Sequence, residues 1–157
     1  MAFVPKSVFT PPSDSALSDD IRQLFEELDA TLPPELRAQS GQCQPAIDVL
    51  ESDEAVEVVV DVCGVPAEAL RVFARSQVLL IVGEKAPGSS PAGHAFHLVE
   101  REFGRFARAV PLSGAFEIEA ASASLRDGEL TVYVPKRSER RGRGHRVPVL
   151  GPGREPA

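Results

Sequence analysis

The sequence has no tryptophan, one tyrosine, one methionine and two cysteines among its 157 residues. Two cysteines, Cys43 and Cys63, are too few for a disulfide framework, and neither sits in a Cys-x-x-Cys pair, which fits a reducing compartment. Long apolar runs are missing as well: nothing approaches the roughly 18 residues of a membrane-spanning helix. Near the N-terminus Pro5, Pro11, Pro12 and Asp14 interrupt what would have to be the apolar core of a signal peptide. The expectation is a cytoplasmic protein without a membrane span. Catalytic signatures are absent too, with no Gly-x-Ser-x-Gly, no phosphate-binding glycine loop and no His-Glu-x-x-His. His94 and His97 would point to opposite faces of a strand, and Glu100 and Glu102 beside Arg101 and Arg105 read as an ion-pair network rather than an acid/base pair. No catalytic residue, no metal and no cofactor is expected, and the protein is not read as an enzyme.

Charge divides the chain into three. Residues 1–43 carry 3 bases against 7 acids, residues 44–136 carry 8 against 14, and residues 137–157 carry 6 against 2. An acidic body followed by a basic tail disfavours generic nucleic-acid binding by the body. The tail arginines Arg137, Arg140, Arg141, Arg143 and Arg146 lack interleaved aromatics for base stacking, so they read as a solvated tail and no nucleic acid is expected. Cys43, in a linker, is the candidate for an exposed, redox-sensitive thiol, against the simpler reading of an incidental one.

What is present is mostly alternation. Residues 1–16 are apolar and broken by prolines, and they must dock on something or stay mobile. Ile21, Leu24, Phe25 and Leu28 then recur at helical spacing, predicting an amphipathic helix over about 18–30, with Ser18 as its cap and Pro33-Pro34 as its stop. Residues 35–44 read as a linker. Beyond it Ile47 and Val49 mark one strand, and Val56, Val58, Val60 and Val62 a second, since branched side chains on alternate positions suit a pleated surface. Ser52-Asp53-Glu54 joins them as a turn. Gly64-Val65-Pro66 breaks the second strand, one helical turn is expected at Ala67 to Ala69, and Leu70, Val72 and Ala74 resume the alternation. Val78 to Val82 is aliphatic throughout, as in a strand buried on both faces. After a loop at 85–93, His94 to Leu98 is expected as a short strand and Phe106 to Leu112 as another, and a strand at 118–125 leads into the Asp127-Gly128 hairpin turn. The last strand follows, with Leu130, Val132 and Val134 on one face and Glu129, Thr131 and Tyr133 on the other. About seven or eight short strands, separated by turn signals roughly every 8–12 residues, make an all-β, immunoglobulin-like antiparallel β-sandwich with a short N-terminal helix and flexible arms. The domain reading is an arm at 1–43, a sandwich at 44–136 and a tail at 137–157.

Four groups of residues, in order along the chain, resemble the small heat-shock protein (α-crystallin) family in its bacterial form. They are Gly64-Val65-Pro66 after a valine strand; the stretch Glu100 to Arg108; Ala123, Leu125, Gly128 and Leu130 followed by Val134-Pro135-Lys136; and Val147-Pro148-Val149 in the tail. The resemblance implies an ATP-independent holdase that binds partly unfolded client proteins and limits their aggregation. It also implies a homodimer made by exchange of the strand near His94 to Leu98, with Phe96, Arg101, Arg105 and Arg108 at or near the dimer contact. Larger homo-oligomers would form by docking of Val147 and Val149 in a groove lined by Leu70, Val72, Ala74, Ala121 and Ala123. Clients are expected on the N-terminal apolar residues Phe3, Val4, Val8, Phe9, Ile21, Leu24, Phe25 and Leu28, with acidic neighbours keeping the segment soluble. The alternative is a p23-like co-chaperone sandwich that binds one folded partner; such a protein would lack the 85–99 excursion and the Val-Pro-Val tail present here.

Overall fold

The computed structural model describes residues 15–38, 41–75 and 77–137. One helix, α1 (Ser15–Thr31), precedes seven strands: β1 (Ile47–Glu51), β2 (Ala55–Asp61), β3 (Leu70–Arg75), β4 (Val78–Lys85), β5 (Gly104–Pro111), β6 (Ser122–Arg126) and β7 (Glu129–Pro135). The strands form two antiparallel sheets, one ordered β1-β2-β7-β6 and the other β3-β4-β5. Val58 and Val60 of β2 and Val132 and Val134 of β7 meet Leu79 and Ile81 of β4 in a single buried cluster between the sheets. The alternation read in the sequence is the pleat of this sandwich, because successive side chains of a strand leave opposite faces.

Turns hold their residues for identifiable reasons. At the tip of β6–β7, Asp127 has φ 51° and Gly128 φ 82°, the left-handed pair that a two-residue hairpin turn needs to match strand twist. Between β1 and β2 the Ser52 hydroxyl accepts the Glu54 and Ala55 N–H groups at 3.2 and 3.1 Å, a side-chain turn of the expected kind. Single 3₁₀ turns occupy Ala67–Ala69, as anticipated, and Ile118–Ala120.

Four expectations need correction. The helix begins at Ser15, so Ser18 lies inside it and does not cap it. No strand forms at His94 to Leu98, which is irregular and exposed; a strand needs a ladder partner, and no strand pairing among the described residues includes this segment. The segment 118–125 is a 3₁₀ turn followed by β6 rather than one strand. The linker is tied down: the Ala38 N–H donates to Glu84, the Cys43 N–H donates to the Arg105 carbonyl at 3.3 Å, and Gln42 bridges to Arg105.

The helix explains the aliphatic run of β4. α1 lies against β3 and β4, and its Leu17, Leu24 and Leu28, with Leu32 just beyond, are buried in the same cluster as the sheets. β4 is therefore covered twice. Leu79 and Ile81 face the opposing sheet, while Leu80, Val82 and Glu84 face the helix side, and all five are essentially inaccessible.

Candidate functional site

The surfaces able to meet other chains are edges, an excursion, and the seam under α1. β1 is an edge strand, and its Val49 and Leu50 are 52% and 53% exposed. The excursion between β4 and β5 carries Phe96, Leu98 and Val99 at 75%, 74% and 63% exposure. Apolar side chains displayed at this level on an irregular segment, and on an edge strand with unpaired backbone groups, are a liability for an isolated chain. His94 is held only locally, its ring and its N–H both reaching the Pro91 carbonyl at 3.2 Å.

The arginines assigned to the dimer contact have partners within the chain. Arg101 stacks over Phe103, 5.0 Å from the ring centroid, with Lys85 at 5.8 Å from the same ring. Arg105 pairs with Asp29 of α1 and approaches Glu84 at 3.3 Å, and it also lies over the Phe25 ring at 5.1 Å. Arg108 donates to the Pro45 carbonyl at 2.7 Å. The network expected of Glu100 and Glu102 is thus replaced: Arg105 turns to Asp29 and Glu84, and Arg101 turns to an aromatic face.

The seam under α1 was not visible to sequence reasoning. Arg71 donates to the Thr31 hydroxyl at 2.8 Å, Arg75 pairs with Asp20 at 2.9 Å, and Arg105 pairs with Asp29, so three arginines from two strands bind one helix. Glu84 lies beneath, 1% exposed. Its Oε1 accepts the Ala38 N–H, while its Oε2 has no hydrogen-bond partner. The one available signal was the spacing Leu80, Val82, Glu84, which puts an acid on the face of an otherwise aliphatic strand. Of the N-terminal residues expected to meet clients, Leu24 and Leu28 are buried here and Ile21 and Phe25 half-buried against the same core. In this arrangement they cover the sheet. Phe3, Val4, Val8 and Phe9 lie outside the described residues, as do Val147 and Val149.

A cleft of about 870 Å³ opens beside the end of β3, lined by Ala74, Arg75, Phe116, Ile118 and Arg137 among others. Of the groove residues expected from the sequence, Ala74 lines it; Leu70 is buried, Val72 is 37% exposed, Ala121 is half-buried and Ala123 exposed. Cys43 is the more protected thiol, its Sγ 3.5 Å from the Gly104 carbonyl, whereas Cys63 is exposed. Burial pushes the Cys43 thiol above its ordinary value, Lys85 pulls against that and Glu102 adds to it. Among the described residues no group of three or more His, Cys, Asp or Glu is arranged to hold a metal ion, and no helix is long and apolar enough to cross a membrane.

The sequence pattern of the Hsp20/alpha crystallin family matches residues 48–149. The chain is 31% identical over 129 residues to heat shock protein 16 of Schizosaccharomyces pombe, covering 80% of this chain and 85% of that one. It is 27% identical over 95 residues to small heat shock protein C4 of Rickettsia felis, covering 60% of this chain and 58% of that relative. A solved small heat-shock protein from Xylella fastidiosa, described as having a distinct high order structure, superposes with a TM-score of 0.59 at 26% identity, over 70% of this chain and 99% of that one. The chain thus spans 58% of the length of the Rickettsia relative.

Proposed function

The chain belongs to the Hsp20/alpha crystallin family, and we propose that it is an ATP-independent, non-enzymatic holdase that captures partly unfolded proteins in the cytoplasm before they aggregate. The observation that carries this reading is the match of residues 48–149 to that family together with a sandwich on which an apolar helix stripe, Leu24, Phe25 and Leu28, is laid from outside. A holdase must offer such surface to non-native chains and still remain soluble. The test is light scattering from a heat-labile client, without nucleotide, with and without the protein. Suppressed scattering at near-equimolar ratio is expected; aggregation that proceeds unchanged overturns the reading.

The working unit is a homodimer in which the excursion carrying Phe96 adds to the partner's sheet at an open edge such as β1, an instance of strand addition in which main-chain hydrogen bonds supply affinity and alternate side chains supply fit. Deleting residues 90–98 should leave a folded monomer, and a dimer that persists in sedimentation after the deletion would exclude strand exchange. Larger assembly uses Val147 and Val149, docked beside Leu70, Val72 and Ala74 with Ala121 and Ala123 opposite. Two buried valines contribute a few kcal/mol, about 0.8 kcal/mol per buried CH₂, comparable with the cost of ordering the tail, so assembly is reversible. Replacing both by Gly should lower the mass seen by light scattering.

Clients meet Phe3, Val4, Val8 and Phe9 directly, and meet Ile21, Leu24, Phe25 and Leu28 when α1 leaves its sheet. A 17-residue helix is marginal alone and depends on its docking surface. Removal of residues 1–34, with circular dichroism to follow the sandwich, is expected to reduce client protection; full protection by a folded truncation would move the client site elsewhere.

A further inference from the structure

The face that α1 covers has the makings of a receptor in its own right. Its centre is apolar, with Phe73 on β3 and Leu80 and Val82 on β4. Its margins are cationic, with Arg71 and Arg75 along β3 and Arg105 on β5, and each of these binds an oxygen of α1. α1 has the complementary build, an apolar stripe flanked by Asp20 and Asp29. The fit is generic: it asks for a helix with apolar residues on one face and acids beside them, and nothing in it requires the particular sequence of α1.

Resting on the holdase reading, we propose that this face is a client site for acidic-rimmed amphipathic helices of non-native proteins, occupied by α1 until a client helix displaces it. Two features make the occupant replaceable. The rim contacts lie at the water boundary, with Arg75 55% and Arg105 39% exposed, and exposed ion pairs hold weakly. Beneath the cover, Glu84 is kept from water with its Oε2 answered only by the Arg105 guanidinium, 3.3 Å away and without a hydrogen bond, and that carboxylate gains water when the cover lifts. A basic-rimmed helix would meet the three arginines as like charges and be rejected, so the site selects by rim charge.

The test uses the full-length protein and two fluorescent peptides: the chain's own segment 15–32, and a companion with every Asp and Glu replaced by Lys and the apolar stripe unchanged. Anisotropy titrations should show the acidic peptide binding in preference to the basic one. Arg71→Glu with Arg75→Glu should invert that preference by about tenfold or more, with circular dichroism verifying the fold. Asp20→Asn, which loosens α1 and leaves the receiving face intact, should tighten binding of the acidic peptide severalfold. A preference unaltered by the arginine reversals, binding unaltered by Asp20→Asn, or no binding of either peptide overturns the proposal. In a final arm, a helical protein of acidic surface, destabilised into its non-native state, should displace the acidic peptide where its native form does not. If the non-native form also fails to displace it, the face serves α1 alone and the proposal fails. Loss of aggregation suppression with peptide binding and displacement intact would strike the holdase reading and leave the site standing.

Discussion

The two sheets present outer faces of opposite character. On β1-β2-β7-β6 the outward positions are Glu57, Tyr133 and Ser122 in one cross-strand row and Val59, Thr131 and Ser124 in the next, half-buried or exposed throughout. On β3-β4-β5 the outward positions of β4 are Leu80, Val82 and Glu84, all inaccessible beneath α1. An antiparallel sheet ordinarily has one wet face, and its strands then alternate. β7 obeys this, while β4 does not, because a helix has been laid on its second face. The helix and the sheet each satisfy an apolar surface that the other would leave exposed, so α1 belongs to the core although it precedes the sandwich in sequence.

Paired substitutions can break or sharpen this contrast. The largest effect is expected from Leu28→Ala, which empties a fully buried position and should cost about 2–5 kcal/mol in urea unfolding; Val59→Ala on the open face should cost about 1 kcal/mol. Equal costs would mean that α1 does not dock as described. Next, Glu84→Ala leaves the Ala38 N–H without its acceptor and should cost about 1–3 kcal/mol, with partial recovery by Glu84→Gln. Glu57→Ala on the open face should stay within about 0.5 kcal/mol. A smaller effect attends Asp29→Asn. Its ion pair with Arg105 is partly exposed, so the loss should be below about 1 kcal/mol and vanish as salt rises to ~1 M; a loss that persists in high salt would mean the pair acts through burial. The smallest is a rate difference between the two cysteines at mildly alkaline pH. Cys43, half-buried with its thiol pushed up, should alkylate severalfold more slowly than exposed Cys63, and mass mapping of the first labelled site checks it.

Legibility followed the range of the interactions. The Asp127-Gly128 turn could be read because both positive φ angles belong to adjacent residues whose chemistry permits them. The Ser52 turn closes within three residues and was likewise visible. The aliphatic run at Val78 to Val82 announced burial on both faces without saying what would cover the second. The irregular course of His94 to Leu98 has the complementary cause: its side chains suit a strand, but a strand also needs an edge to pair with, and no strand among the described residues pairs with that segment. Ser18 failed as a cap because the helix extends a further turn in the N-terminal direction, where Leu17 finds a place in the core.

By itself, then, the sequence determined the strands, the turns and the apolar stripe of the helix, since each rests on side-chain period or on residues within a few positions of one another. Tertiary structure alone decided where that stripe lies and which charges meet across it. Asp20 and Arg75 are 55 residues apart, Asp29 and Arg105 are 76 apart, and Ala38 and Glu84 are 46 apart. No local rule links such positions. Their pairing arises because β4 has two apolar faces and one opposing sheet, and burying the second face brings the helix, and with it Asp20 and Asp29, against the arginines of β3 and β5.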